Sequence, residues 1–197
     1  KKIKKVNNKI LYDIANIYKN SEMYDRSIKY YTKLINSIDQ DPDLKSDLFY
    51  RRGGAYERLG NYKMADKDLL SSLKIDEDDA YVLNYLAYSW LERNQNIDEA
   101  IEMLEIAYAS KSNDPYIIDS IGWAYYLVND FDKAESFLKR AVELMPDDPI
   151  VNDHYGDILW KLNRKIQARY CWMRAYNSEE SDKELKQSLK KKLLKGL

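Results

Sequence analysis

The residues of this chain that could carry chemistry are few, and they lie near its C-terminal end. The single histidine, His154, stands between Asp153 and Asp157, and the single cysteine, Cys171, follows in the next apolar-periodic stretch. A histidine beside carboxylates could bind a transition metal or act as a general base, and a cysteine could act as a nucleophile. Each of these chemistries makes further demands on the sequence.

Those further demands are not met. Transition metals prefer several nitrogen or sulfur ligands, and one histidine with two aspartates is a poor ligand set. A nucleophilic triad would have to use the same His154, without the strand-turn-helix segment that usually presents the nucleophile. We therefore predict no catalytic residue, no metal and no cofactor, and expect that the chain is not an enzyme. His154 is then expected to be solvated or to face a partner, and Cys171, next to Trp172, to be packed in a helix.

The composition indicates helices and excludes some classes of partner. The 197 residues are 45% hydrophobic and 33% charged, with only six Gly and four Pro, which favours long amphipathic helices over a turn-rich β fold. A net charge of -1 gives no overall cationic field, so we do not expect a nucleic-acid partner. No apolar run is long enough to span a membrane.

A spacing of 34 or 35 residues relates several segments to one another. The segment IDSIGWAY at 118–125 returns as NDHYGDIL at 152–159 and is preceded by LNYLAYSW at 83–90. Small residues repeat beside them at Ala65, Ala100, Ala134 and Ala168. A period of this length predicts stacked supersecondary units, here pairs of antiparallel helices A and B. Five units result, at 8–41, 46–79, 80–114, 115–148 and 149–182, in one domain over 1–197.

The predicted helix ends carry the residues that such ends require. Gly or Asn stands between helices A and B of units two to five, where a left-handed C-terminal cap is expected. Asp114-Pro115 and Asp148-Pro149 each place a capping carboxylate before a proline at the first helical position. The residues expected to end helix A are Gly60, Asn94, Asn129 and Asn163.

These residues resemble the tetratricopeptide repeat (TPR) family. Unit four fits the family pattern nearly throughout, through Ile118, Ile121, Gly122, Tyr125, Phe131, Ala134, Leu138, Ala141 and Pro146. The resemblance implies an all-α, right-handed α-solenoid of about five TPR helix-turn-helix units. Residues 183–195, with leucines at 185, 189 and 193, are expected to form a C-terminal capping helix, and contact with an anionic membrane or an acidic partner is the alternative for this basic segment.

Units three to five also resemble TPR proteins and lipoproteins of bacteria, among which are envelope adaptors. The compartment stays open between a periplasmic or outer-membrane-associated place and the cytoplasm. A single cysteine is compatible with both, and because the chain begins with Lys1 and not Met, we expect that its natural N-terminus lies upstream.

The family resemblance implies that the A helices line a concave groove with the second, fifth, ninth and twelfth residues of each unit. In the last units these places hold aromatic and acidic residues, which suit a protein segment with basic and apolar side chains. That several of the aromatic residues only fill space between A helices is the competing interpretation. The predicted peptide-binding groove comprises Tyr50, Tyr81, Asn84, Tyr88, Tyr116, Asp119, Trp123, Tyr126, Asp153, Asp157 and Trp160.

The resemblance also excludes one class of partner. Chaperone-binding members hold an acidic tail through a clamp of Lys, Asn and Arg, but here Tyr12, Arg51 and Tyr81 stand at clamp positions, and only Asn16 agrees. We therefore do not expect binding of an acidic chaperone tail. The main hypothesis is a non-catalytic scaffold or adaptor that binds a protein or peptide. The alternatives are a structural self-association module and a regulatory domain of a larger protein.

Overall fold

The computed structural model describes residues 2–38 and 40–197, with side chains from residue 8 onward. Within these residues it contains helices and no strand. The helices are α1 (Lys2–Asn20), α2 (Tyr24–Ile35), α3 (Pro42–Arg58), α4 (Tyr62–Leu73), α5 (Ala80–Glu92), α6 (Ile97–Ser110), α7 (Pro115–Leu127), α8 (Phe131–Leu144), α9 (Pro149–Lys161), α10 (Lys165–Asn177) and α11 (Lys183–Lys195). Helices that follow one another pack together as pairs, such as α7 with α8 and α9 with α10. The predicted all-α fold of consecutive helix pairs is confirmed.

The predicted helix ends are confirmed residue by residue. Gly60, Asn94, Asn129 and Asn163 all have positive φ, between 52° and 70°. Glycine adopts this conformation without a Cβ clash, and asparagine tolerates it better than most residues, so these types follow the ends of α3, α5, α7 and α9. At the next start, the Asp114 carboxylate accepts hydrogen bonds from the backbone N–H groups of Tyr116 and Ile117, at 3.0 and 3.3 Å.

The helices group into two compact units, Lys1–Val82 and Leu83–Leu197. The core of the first unit includes Ala15, Tyr31, Leu34 and Leu48, all without exposed surface or nearly so. Arg52 pairs with Asp68 in this unit at 2.6 Å and also donates a hydrogen bond to the hydroxyl of Thr32. Because both charges of this pair are nearly buried, each depends on the other for its compensation.

The second unit is packed around small residues that let its helices approach closely. Ala100, Ala134 and Ala168, the predicted small positions, are fully buried. Gly122 on α7 faces α8, and a Cβ added there would lie 2.8 Å from Cγ of Leu138. The repeated small residues therefore fix the distance between paired helices.

Helix α11 completes the second unit as the predicted cap. Its Leu189 is fully buried, and Leu185 and Leu193 pack beside it against a cluster that includes Trp172 and Cys171. Burial raises the pKa of the Cys171 thiol, with Arg174 and Arg164 acting in the opposite direction, so this cysteine is a packing residue as expected. None of the described helices has the length and apolar content that a membrane span requires.

Candidate functional site

Side chains from α5, α7 and α9 meet around His154 in the second unit. We call Tyr88, Asp119, Trp123, Tyr126 and His154 the His154 cluster. His154 Nδ1 lies 2.8 Å from Oδ2 of Asp119, and its ring stacks on Trp123 with centroids 4.2 Å apart. Trp123 also stacks on Tyr126, at 4.8 Å, and the ring of Tyr88 lies 6.3 Å from that of His154. Three A helices are thereby joined through one buried histidine.

The surroundings of His154 favour its charged form. Burial by itself lowers the pKa of an imidazole, but the charge of Asp119 and the hydrogen bond to it outweigh this effect, with Asp153 and Asp157 acting in the same direction. The pKa of His154 is therefore raised above its usual value. Protonation of this residue places an imidazolium against the face of Trp123, which is a favourable cation–π contact.

A second set of charges lies where α9 meets the C-terminal helix, and we call it the Lys192 network. Lys192 Nζ lies 2.6 Å from Oδ1 of Asp153 and 2.8 Å from both carboxylate oxygens of Asp157. Trp172 Nε1 donates a further hydrogen bond to Asp157, at 2.9 Å. Burial and the charge of Asp153 raise the pKa of Asp157, whereas Lys192 opposes that rise. The helix that caps the chain thus supplies the cation that compensates these two carboxylates.

The C-terminal residues also cover Trp160. Its indole lies 5.3 Å from that of Trp172, and the backbone of Gly196 packs directly against it. The guanidinium of Arg169 lies 4.8 Å from the Trp160 ring. Trp160 is therefore part of the packing between α9, α10 and α11.

The residues predicted for the groove occupy three different environments. The carboxylates of Asp119, Asp153 and Asp157 are buried and paired with His154 or Lys192. Two of the predicted residues, Tyr50 and Tyr81, belong to the first unit. Tyr81 and Tyr116 are exposed, and the half-buried residues are Tyr50, Asn84, Tyr88, Trp123, Tyr126 and Trp160.

Six polar side-chain atoms of the second unit are buried without a hydrogen-bond partner among the described residues, and three of them belong to residues predicted for the groove. These three are Oδ1 of Asn84, Oδ1 of Asp119 and Nε1 of Trp123. Native structures leave few such atoms. The A helices of this unit therefore carry polar groups that the packing of the chain itself does not satisfy.

The expectation that His154 is solvated or faces a partner is wrong, since its side chain is nearly fully buried. Asp119 and Asn84 stand at the same place in consecutive repeats, and His154 lies one position beyond that place in unit five. The spacing of 35 residues between Asp119 and His154, about one repeat, is the signal that could have identified His154 as the buried partner of Asp119. Lys192 gave no such signal, because α11 lies outside the repeat. The described side chains contain no group of three or more His, Cys, Asp or Glu residues placed to bind a metal ion.

The family model for the tetratricopeptide repeat matches residues 9–41, 46–79 and 117–148, which is half of the chain. TPR repeat-containing protein PA4667 of Pseudomonas aeruginosa is 29% identical over 133 residues, covering 68% of this chain. The chain spans 22% of the length of that relative.

Solved structures of TPR proteins share the fold at lower identity. The TPR protein TTC0263 of Thermus thermophilus gives a TM-score of 0.74 at 18% identity, with 95% of this chain and 99% of that chain covered. The pilF protein of Pseudomonas aeruginosa gives 0.74 at 16%, covering 98% and 86%. MamA of Desulfovibrio magneticus RS-1 gives 0.71 at 19%, covering 92% and 96%. With the repeats matched in sequence and the helix pairs present in the structure, the chain belongs to the tetratricopeptide repeat family, whose repeats serve as protein-interaction scaffolds.

Proposed function

We propose that the chain is a non-catalytic adaptor whose second unit binds a segment of a partner protein along α7 and α9. The observation that carries this proposal is a pair of large apolar side chains at equivalent places on these two A helices. Tyr116 is 60% exposed and Ile150 is 39% exposed, and they stand 34 residues apart. Apolar residues exposed in register favour an interaction surface over chance exposure.

The His154 cluster lies farther along the same two A helices, with Tyr88 added from α5. Tyr88, Trp123 and Tyr126 are half-buried, so each ring keeps part of its surface open to solvent. Trp123 stacks on Tyr126 and on His154, and Tyr88 packs at an angle beside His154, so these rings are held in position before any partner binds. Rings held in this way lose little conformational entropy on binding, which is an advantage of preorganised sites.

The charges near this surface favour a partner segment with basic as well as apolar side chains. Asp153 and Asp157 share one cation, Lys192, so the Lys192 network keeps a net negative charge when both carboxylates are ionised. Because these carboxylates are buried, they act through their field and not by direct contact. We infer that apolar side chains supply most of the affinity, and that acidic segments are disfavoured.

Selection of peptides from a random displayed library on the immobilised protein tests the proposal. We expect selected peptides to be rich in apolar and basic residues. The double variant Tyr116→Ala with Ile150→Ser should weaken their binding at least about tenfold, because hot-spot side chains contribute upwards of about 1 kcal/mol each. Ile106→Ser is the matched control, since Ile106 is an exposed apolar residue on α6, a B helix.

Two results would overturn the adaptor proposal. One is that selected peptides bind the double variant as well as the native chain while its helical circular dichroism is unchanged. The other is that no peptide is selected and the chain instead forms a concentration-dependent dimer by sedimentation, which would favour a self-association module.

A further inference from the structure

The outward face of α10 is apolar and open to solvent. Ile166 is 87% exposed, Tyr170 is 66% exposed and Met173 is 46% exposed. Their spacing of four and three residues places them on one side of the helix. The buried residues Ala168, Trp172 and Ala175 occupy the opposite side. These three exposed residues, which we call the α10 face, therefore contribute nothing to the core of the repeat.

Comparison with the preceding B helices shows that the repeat itself does not require an apolar face here. Ala100, Ala134 and Ala168 set the register of α6, α8 and α10. At the places of the α10 face, α8 carries Asp132, Ser136 and Lys139, and α6 carries Asp98, Glu102 and Glu105, all exposed. The same position on the same fold is thus polar in units three and four and apolar in unit five.

The C-terminal part of the chain, which carries the α10 face, is basic. Residues 161–197 hold eleven Lys and Arg against four Asp and Glu, a net charge of +7, whereas residues 1–160 hold 21 against 29, a net charge of -8. On α11, Lys190, Lys191 and Lys195 are exposed, together with Leu194. Two neighbouring helices therefore present apolar side chains among lysines and arginines.

We propose that α10 and α11 form a surface that docks the chain on an anionic lipid bilayer. Bilayer interfaces accept Ile, Tyr, Met and Leu side chains, while anionic headgroups attract the surrounding Lys and Arg residues. The inserted residues are exposed side chains of helices that are already folded. Docking of this kind is peripheral and needs no spanning helix.

Two other occupants of the α10 face fit the charges less well. A second copy that presented its own α10 would bring two basic surfaces together. A second copy that presented α6 would bury the carboxylates of Asp98 and Glu102 against apolar side chains, at a desolvation cost. An acidic helix of another protein would have to bury carboxylates beside the apolar side chains of the α10 face, at the same kind of cost.

Flotation of the full chain with vesicles tests the proposal. The probes are vesicles of phosphatidylcholine alone and vesicles in which about a third of the lipid is phosphatidylglycerol. We expect binding only to the anionic vesicles, decreasing as salt is added. The triple variant Ile166→Asp, Tyr170→Ser and Met173→Lys introduces the residues of α8 without changing the net charge, and should bind at least about tenfold more weakly.

Ile106→Ser is the control for loss of an exposed apolar residue elsewhere, and it should bind as the native chain does. Thermal unfolding of the triple variant should match that of the native chain, because the three replaced residues are exposed. The proposal is wrong if the native chain does not bind anionic vesicles. It is also wrong if the triple variant binds them equally well, which would indicate adhesion by basic charge alone. A dimer in lipid-free solution that the triple variant abolishes would assign the face to a second copy instead.

Docking through α10 does not depend on the adaptor function. The Tyr116→Ala, Ile150→Ser variant should float with anionic vesicles as the native chain does, and the triple variant should still bind the selected peptides. The two proposals can therefore fail separately.

Discussion

His154 connects three helices of the second unit through a carboxylate and two aromatic rings. Its ion pair with Asp119 and its stacking on Trp123 both favour the imidazolium. A buried residue in this position gives the second unit a stability that depends on pH near neutrality. Because the pKa of His154 is raised, the stability that its charged form contributes should decrease as the pH increases.

We predict that stability falls as the pH rises past neutrality. The folded pKa of His154 is raised above the value near 6.5 that it has in the unfolded chain. The contribution of the charged side chain is fully present below that unfolded value and is lost as pH rises through the folded pKa. Urea unfolding measured from about pH 6 to pH 9 should show this decrease, and His154→Gln should show a flatter dependence.

The same residue can be followed directly by NMR. Because His154 is the only histidine, its imidazole signals need no assignment against others. A titration midpoint above 6.5 would agree with the ion pair, whereas a midpoint below 6.5 would mean that burial outweighs Asp119.

Helix α11 closes the second unit by two different means. Leu189 covers apolar surface, as a capping helix must, and Lys192 compensates two carboxylates of α9. Removing the ammonium group leaves Asp153 and Asp157 buried beside each other without the cation that hydrogen-bonds to both of them. Burial of uncompensated charge is among the few mechanisms by which one substitution destabilises strongly.

Lys192→Met should therefore lower the free energy of unfolding by about 3 kcal/mol at pH 7. Methionine keeps most of the apolar stem of lysine, so the lost charge dominates the effect. The loss should be smaller near pH 4, because the carboxylates can then take up protons. Urea unfolding at both pH values measures it.

Lys191→Met is the matched control for this substitution. Lys191 is exposed on the same helix, so its replacement should change stability by less than about 0.5 kcal/mol. Equal effects of the two substitutions would contradict the role given to the Lys192 network.

The helices and their ends could be predicted because their signals are local. Asp148 caps α9 through its bonds to the backbone N–H groups of Ile150 and Val151, all within three residues. The pairing of buried charges could not be predicted, since Asp119 and His154 are 35 residues apart and Asp153 and Lys192 are 39 apart. The repeat pattern predicts that such residues share one face, but it does not predict which of them form pairs.

At the scale of the whole molecule, the chain is built from copies of one type of repeat, and its second unit carries two chemically different surfaces. Tyr116 and Ile150 lie on A helices, and the α10 face lies on a B helix. Period and helix pairing could be read from the sequence, because each repeat must bury its apolar stripe against its neighbours. Exposure of Ile166 depends on what covers α10, and no local pattern contains that information.

The most direct test of the adaptor function is amide hydrogen exchange of the chain with and without a library-selected peptide. Exchange reports stabilisation of individual helices on binding. We predict slower exchange in Pro115–Leu127 and Pro149–Lys161, and little change in Phe131–Leu144. Slowed exchange confined to the B helices, with the A helices unchanged, would contradict binding of the peptide along α7 and α9.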